Sequence, residues 1–280
     1  MTTTRVVAAA CLALLSCGPA PEAQRAEART GSSLFAAAAD AQWRLPRRLH
    51  EISGLAVAPD GRLFGHDDEA GVIHELSLEA GGGVVKSFAL GEPVARGDFE
   101  GLAIAPDGAF YIVESTGRLL RFREAGDGAH APFETLDTGM RDVCEIEGLA
   151  YHARRRGLLI ACKAHRETTD VVLYLWSLRT RRASVFLQAP ASQVAQAAFV
   201  QAFRPSGVEI DPRTNRVIVL SARDRAWAEF SAAGVLLAAR RLAGAHPQPE
   251  GIAVLRDGAL AVADEGGDLR ALLTRYPRTP

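Results

Sequence analysis

The side chains best suited to chemistry in this sequence are polar residues that stand directly before a glycine in a repeated motif. There are five of them: Ser53, Glu100, Glu147, Ser206 and Glu250. Three carboxylates around one narrow axis would repel each other strongly unless one were protonated or a cation were bound. Because oxygen ligands suit hard cations, calcium above all, we interpret Glu100, Glu147 and Glu250 as candidate calcium ligands. The alternative is that each carboxylate accepts hydrogen bonds from nearby backbone amides and only organises the fold.

A second set of polar residues follows a later apolar segment of several repeats. Asp67, Lys163 and Asp264 belong to this set, and we expect them to share a ligand-binding face with the first. Four of the seven histidines fall near the same predicted face: His50, His66, His165 and His246. Each could act in acid–base chemistry, since histidine titrates near neutral pH, or could be a solvated loop residue.

Several familiar catalytic signatures are missing from the sequence. It contains no Gly-x-Ser-x-Gly motif, no His-Glu-x-x-His motif, no Gly-x-x-x-x-Gly-Lys loop and no Cys-x-x-Cys pair. We therefore assign no catalytic residue, and a binding function is favoured over an enzymatic one.

The elements that must position these residues form an internal repeat. The motif glycines are Gly54, Gly101, Gly148, Gly207 and Gly251, at intervals of 47, 47, 59 and 44 residues. A repeat of roughly 40–50 residues is typical of a four-stranded propeller blade. Each unit has short apolar runs separated by turns such as Asp107-Gly108, which join antiparallel strands because these residues tolerate positive φ. The sequence therefore predicts an all-β fold, a single β-propeller with five four-stranded blades.

Two further features concern the ends and the length of the repeats. The last unit has room for only three strands, and residues 41–45 can supply its fourth by pairing with the C-terminal strand, which leaves no open edge. The third unit is long, and we expect an insertion with a short helix at residues 190–203. A sixth blade would require an unrecognised repeat within residues 149–206.

The order of these motifs resembles the SdiA-regulated family of bacterial envelope proteins. The resemblance covers roughly residues 50–276 and is carried by Glu51-Ile52-Ser53-Gly54-Leu55, by the segment from Cys144 to Tyr151, and by Pro249-Glu250-Gly251-Ile252-Ala253. It implies a β-propeller in the cell envelope, but no established reaction. Related propellers include phytase-like esterases and calcium-dependent lactonases.

The N-terminus is typical of an export signal. A short basic start precedes an apolar run at residues 6–15, which is too short to span a bilayer. The run ends in Leu14-Leu15-Ser16-Cys17-Gly18, which resembles a bacterial lipobox with Cys17 as the lipidated residue; the alternative is a plain secretory signal. We interpret residues 1–17 as a lipoprotein signal peptide, 18–40 as a flexible tether and 41–280 as the propeller. Gly18 favours the outer membrane, with the domain facing the periplasm.

Composition limits the classes of partner. The 280 residues include 32 Lys and Arg against 33 Asp and Glu, a net charge of −1, which excludes a general electrostatic attraction to nucleic acid.

Cys144 and Cys162 lie near each other in the predicted third unit, but their offset along the paired strands leaves a disulfide undecided. We expect a monomer.

These observations support one leading hypothesis and two alternatives. The first is a lipid-anchored envelope propeller that binds a small ligand or partner at the channel face without catalysis. The second is a calcium-dependent hydrolase acting on a lactone or phosphoester, with Glu100, Glu147 and Glu250 holding the ion. The third is a scaffold whose propeller face docks an envelope protein.

Overall fold

The computed structural model describes residues 32–280 and contains five antiparallel sheets arranged around one axis. Apart from one strand of two residues, the strands are four to nine residues long and rich in Val, Ile, Leu, Phe and Ala, so they bury apolar side chains against a neighbouring sheet. The first strands of the five sheets contact each other in a ring, and they are the innermost strands. The prediction of a single five-bladed propeller is confirmed.

The strands of the five blades are given from the axis outward. Blade 1 contains β2 (Ile52–Val57), β3 (Leu63–Asp67), β4 (Val72–Ser77) and β5 (Gly83–Leu90), with the short β9 (His130–Ala131) added in parallel to β5. Blade 2 contains β6 (Phe99–Ile104), β7 (Ala109–Glu114), β8 (Arg118–Arg123) and β10 (Phe133–Asp137). Blade 3 contains β11 (Cys144–His152), β12 (Gly157–His165), β13 (Val171–Ser177) and β14 (Ala183–Ala189). Blade 4 contains β15 (Gly207–Ile210), β16 (Val217–Ser221), β17 (Ala226–Phe230) and β18 (Leu236–Arg241). Blade 5 contains β19 (Gln248–Val254), β20 (Leu260–Glu265), β21 (Leu272–Tyr276) and β1 (Ala41–Arg44).

The ring closes by pairing the two ends of the described chain. Strand β1 lies antiparallel to β21, with Ala41 opposite Arg275 and Arg44 opposite Leu272. This pairing completes blade 5 with an N-terminal strand, as predicted, and removes an open edge.

The domain begins earlier than predicted, because residues 33–35 belong to it rather than to a tether that extends to residue 40. Phe35 is fully buried with its ring edge against Trp227, and the backbone N–H of Leu34 donates to both carboxylate oxygens of Glu229 at 3.1 and 3.0 Å. Glu229 is itself fully buried and pairs with Arg216 at 3.2 Å. The predicted signal peptide, Cys17 and most of the predicted tether lie outside the described residues.

In the part of the chain that the structure describes, helical structure is confined to short segments. Two single 3₁₀ turns cover Arg47–Leu49 and Ala153–Arg155, and one α-helix, α1 (Ala191–Ala198), lies in the predicted insertion between blades 3 and 4. The helix packs its buried residues against the outer strands of blade 4. Within residues 32–280, no helix is both long and apolar enough to cross a bilayer.

The third blade carries a disulfide between Cys144 and Cys162, which the sequence left undecided. Cys144 lies opposite His165 in the pairing of β11 with β12, and Cys162 lies opposite Ile146. An irregularity in β11 between these positions brings the two cysteines to a Cα–Cα distance of 5.6 Å, which is within the usual range for a disulfide.

Candidate functional site

A β-bulge at the start of the innermost strand positions the polar residue of the repeated motif in four blades. The ladder shifts register around Ser53 in blade 1, Glu100 in blade 2, Glu147 in blade 3 and Glu250 in blade 5. A bulged residue is left without a partner in the ladder and its side chain is re-aimed, a device common next to binding sites. The repeat therefore encodes a repeated turn of the backbone as well as a repeated side chain.

The glycine after each bulge lets the innermost strands approach closely around the axis. A Cβ on Gly101 would lie 2.5 Å from the backbone nitrogen of Leu149 in the next blade, and one on Gly207 would lie 2.5 Å from the carbonyl oxygen of Glu250. The cavity left at this end of the axis measures only about 10 Å³. The channel is thus closed by backbone, and any ligand must rest on the rim that the polar residues form. We call this rim the acidic mouth, defined by Glu100, Glu147, Lys163, Glu250 and Glu265.

Glu100 is the most strongly perturbed carboxyl of the acidic mouth. Burial, followed by the proximity of Glu147, raises the pKa of Glu100 to about 10. The hydroxyl of Ser53 lies 3.4 Å from its Oε2. Glu100 is therefore protonated at neutral pH when nothing is bound to it.

Glu147 forms the ion pair of the mouth. Lys163 Nζ donates to Glu147 Oε1 at 2.5 Å and lies 3.4 Å from Glu145. Burial raises the pKa of Glu147 to about 7, although the hydrogen bond from Lys163 opposes this change. Burial also disfavours the charge on Lys163, but its hydrogen bond to Glu147 outweighs this and raises the pKa of the ammonium.

Glu250 and Glu265 form a second carboxyl pair, which a single amide bridges. Gln248 Nε2 donates to Glu250 Oε1 at 2.8 Å and to Glu265 Oε2 at 2.6 Å. Burial, followed by the negative charge of Glu250, raises the pKa of Glu265 to about 9. Within residues 32–280, Lys163 is the only Lys or Arg that lies within 4.0 Å of a carboxylate of the acidic mouth. The mouth therefore holds more carboxyl groups than nearby cations can neutralise.

The predicted site residues do not all reach this mouth. Ser206 is buried, and its hydroxyl donates to the carbonyl oxygen of Pro249 at 2.9 Å, so it joins blades 4 and 5. Asp264 is fully buried and contacts His246, whereas its neighbour Glu265 is directed to the mouth. Asp264, which the sequence predicts at the ligand-binding face, thus lies in the interior while Glu265 faces the mouth, because side chains alternate between the two faces of a strand.

Asp67 lies at the edge of the mouth, in a different group. It forms a group with His50 and Glu51, in which each residue offers one atom that could bind a metal ion. These three atoms lie within 4.8 Å of one another. Among residues 32–280 this is the only such group of three; Glu100, Glu147 and Glu250 do not converge in this way. The calcium site predicted at those three glutamates stays a prediction.

Two buried polar atoms beside the mouth have no hydrogen-bond partner among the described residues: His66 Nε2 and Asp68 Oδ1. The ring of His66 lies against Gly54, and burial lowers its pKa to about 4. Burial, followed by the charge of Asp67, raises the pKa of Asp68 to about 6. Burial of a polar atom without a hydrogen-bond partner costs free energy, so these two atoms indicate that a ligand or a water molecule binds at this place.

The remaining candidate histidines are bound to neighbours. His165 Nε2 lies 2.9 Å from the hydroxyl of Tyr174, and the backbone N–H of Glu167 donates to its Nδ1 at 3.1 Å. His246 is buried between Asp264 and Tyr276. Neither imidazole has a nitrogen left to act as a base.

Comparisons with known proteins agree with this architecture. The structure of luciferin-regenerating enzyme superposes with a TM-score of 0.56 at 11% identity, covering 85% of this chain and 95% of that one. Glutaminyl cyclase from Myxococcus xanthus superposes with a TM-score of 0.57 at 16% identity, covering 87% and 97%. Identities this low establish a shared fold alone. No curated protein matches the sequence.

A family model gives a more specific result. The sequence model of the SdiA-regulated family matches residues 37–267, which span all five blades. This agrees with the resemblance carried by the repeated glycine motifs. The chain belongs to the SdiA-regulated family.

Proposed function

We propose that this propeller binds a small cationic ligand at the acidic mouth and does not act on it chemically. The observation that carries the proposal is the surplus of carboxyl groups: four glutamates surround the end of the axis, and Lys163 neutralises one of them. A cation placed among them would let the protonated carboxyls ionise and would relieve the repulsion between charged ones.

The unpartnered atoms beside the mouth support the same proposal. Asp68 Oδ1 is an acceptor with no donor among residues 32–280, and a cationic group that carries N–H bonds or a metal ion could satisfy it. The closed axis restricts the ligand to the rim, because a cavity of about 10 Å³ cannot hold even an ion with its ligands.

Binding is favoured over calcium-dependent hydrolysis by the arrangement of the predicted metal ligands. Glu147 is already hydrogen-bonded to Lys163, and the oxygens of Glu100, Glu147 and Glu250 do not lie within 4.8 Å of one another. A hydrolase would need these groups to converge on one ion while leaving room for a substrate and a water molecule.

Titration calorimetry of the purified protein with calcium chloride and, separately, with putrescine tests the proposal at low ionic strength. We expect at least one of these cations to bind, and Glu250→Gln to weaken that binding about tenfold or more, since it removes a charged ligand without changing shape. The matched control is Glu79→Gln, an exposed glutamate in the loop between β4 and β5 at the other end of blade 1.

Comparison of the two cations distinguishes a metal ion from an organic amine as the ligand of the acidic mouth. If calcium binds and Glu250→Gln abolishes that binding, the ligand is a metal ion. If only putrescine binds, the ligand is an organic amine. If neither cation binds, or if Glu79→Gln weakens binding as much as Glu250→Gln, the proposal is wrong.

Lipid anchoring in the cell envelope is a second part of the proposed function, and it is supported by the sequence alone. The segment from Leu14 to Gly18 has the lipobox pattern, and Cys17 would carry the acyl chains. Cys17→Ser should release the protein from the membrane fraction of expressing cells, with Cys11→Ser as the control. Unchanged fractionation of the Cys17→Ser protein would remove the anchor from the proposal.

A further inference from the structure

A second concave site lies on the same end of the propeller, away from the axis. A cleft of about 980 Å³ is formed by β1 and the turn after it, by the loop between β18 and β19, and by the loop between β20 and β21. This volume is at the upper end of the range of small-molecule sites. We call it the basic cleft, and its charged and titratable lining residues are Arg44, Arg47, His50, Arg225, His246, Asp268 and Arg270.

The charge of the basic cleft is opposite to that of the acidic mouth. Four arginines line it against one aspartate, Asp268. In the part of the chain that the structure describes, no carboxylate lies within 4.0 Å of the side-chain nitrogens of Arg44, Arg47 or Arg225. Arg270 differs, because its Nε donates to the carbonyl oxygen of Leu45 at 2.9 Å and so holds the loop in place. Three guanidinium groups therefore keep their donors available to a ligand.

The buried wall of the cleft is held by a chain of hydrogen bonds. Tyr276 Oη donates to the carbonyl oxygen of Ala243 at 2.9 Å, so it must accept its 2.7 Å bond from His246 Nε2. The other ring nitrogen, Nδ1, lies 2.8 Å from Asp264 Oδ2, which is within hydrogen-bond distance. Both nitrogens are thus engaged, so His246 fixes the 243–247 loop and offers no free base to a ligand.

We propose that the basic cleft binds a small soluble molecule that carries two or more negative charges, such as a polycarboxylate or an organic phosphate. Guanidinium groups match carboxylate and phosphate oxygens with paired hydrogen bonds, and several of them around one cavity favour a multiply charged ligand. This inference does not depend on the function proposed for the acidic mouth, because the two sites have opposite charge and different lining residues.

The test measures binding of citrate and of inorganic pyrophosphate to the full-length protein by titration calorimetry, with acetate at the same ionic strength as the reference. We expect citrate or pyrophosphate to bind and acetate not to bind. The double variant Arg47→Gln/Arg225→Gln should weaken binding about tenfold or more, since each change removes charged hydrogen bonds. Both side chains are exposed, so folding should be retained.

The matched control is Arg154→Gln/Arg155→Gln, which removes the same charge from an exposed turn between β11 and β12. The proposal is overturned if neither citrate nor pyrophosphate binds, if the cleft variant binds as well as the wild type, or if the control variant loses as much. Binding to phosphatidylglycerol vesicles without binding of citrate or pyrophosphate would also overturn it, since the partner would then be a membrane surface.

Discussion

Glu100 shows how a single side chain can be both poorly placed for stability and well placed for binding. Its carboxyl group is mostly buried beside Glu147 and Asp98, and burial raises its pKa from 4.5 to about 10. The pKa of Glu100 is higher in the folded state than in the unfolded state. Protonated Glu100 therefore makes its full contribution to the free energy of unfolding below about pH 4.5. This contribution is lost progressively as the pH rises toward the folded-state pKa.

Replacing Glu100 with Gln should therefore remove a pH-dependent loss of stability. We expect Glu100→Gln to unfold at nearly the same urea concentration as the wild type at pH 5. At pH 9 the variant should be more stable by up to about 5 kcal/mol, because wild-type Glu100 keeps its proton over the roughly four pH units between the two measurements and each pH unit is worth about 1.4 kcal/mol. Urea denaturation at the two pH values measures the difference. Glu79→Gln provides the control; a Glu100→Gln effect that is equal at both pH values would contradict the assignment.

At the scale of the element, the repeated unit is the bulge followed by glycine at the start of the innermost strand in blades 1, 2, 3 and 5. The bulge aims the preceding side chain at the mouth, and the glycine removes the Cβ that would collide with the next blade. Position 101 requires glycine because of the space available and not because of the backbone conformation. A Cβ there would collide with backbone atoms of the neighbouring strand.

Substitution of Gly101 by Ala should destabilise the protein by about 2–3 kcal/mol, because the 2.5 Å approach to Leu149 N can be relieved only by moving a packed strand. The free energy of unfolding from urea denaturation measures this cost. Gly126→Ala is the matched control, since nothing lies within 4 Å of the Cβ that it would add. A cost for Gly101→Ala below about 0.5 kcal/mol, as for a surface change, would show that the ring of strands can widen freely.

At the scale of the whole molecule, stability depends on the closure of the ring by its N-terminal segment. Phe35 and Leu45 are fully buried on either side of β1, and Leu34 satisfies the buried carboxylate of Glu229. Burial of each large apolar side chain contributes about 1.5–3 kcal/mol, so the segment supplies a sum comparable with the whole stability of a domain.

A chain that begins at residue 46 should therefore not fold cooperatively, whereas one that begins at residue 32 should. Removal of residues 32–45 exposes the edge of β21 and leaves Glu229 buried without two of its donors. Thermal unfolding followed by circular dichroism distinguishes the two, with a sharp transition expected only for the longer chain. A sharp transition from the chain that begins at residue 46 would mean that blade 5 is stable with three strands.

The amino-acid sequence by itself determined the architecture, and it indicated the end of the axis where we propose the site. The spacing of Gly54, Gly101, Gly148, Gly207 and Gly251 reports the blade period, because each glycine meets the same packing demand around one axis. For the same reason, the residue before the glycine could be identified as a mouth residue in blades 2, 3 and 5, whereas Ser206 in blade 4 is buried. These features are local and repeated, so a single chain displays them several times.

Only the tertiary structure decided which neighbouring side chains share a surface. It placed Glu265 rather than Asp264 at the mouth and joined Cys144 to Cys162 in a disulfide. It also buried Phe35, which lies in the segment predicted as a tether. It also brought arginines from β1, the β16–β17 turn and the β20–β21 loop around one cleft, although 226 residues separate Arg44 from Arg270 along the chain. The physical reason is that these contacts depend on ring closure and on the face that each strand presents, and neither is encoded within one repeat.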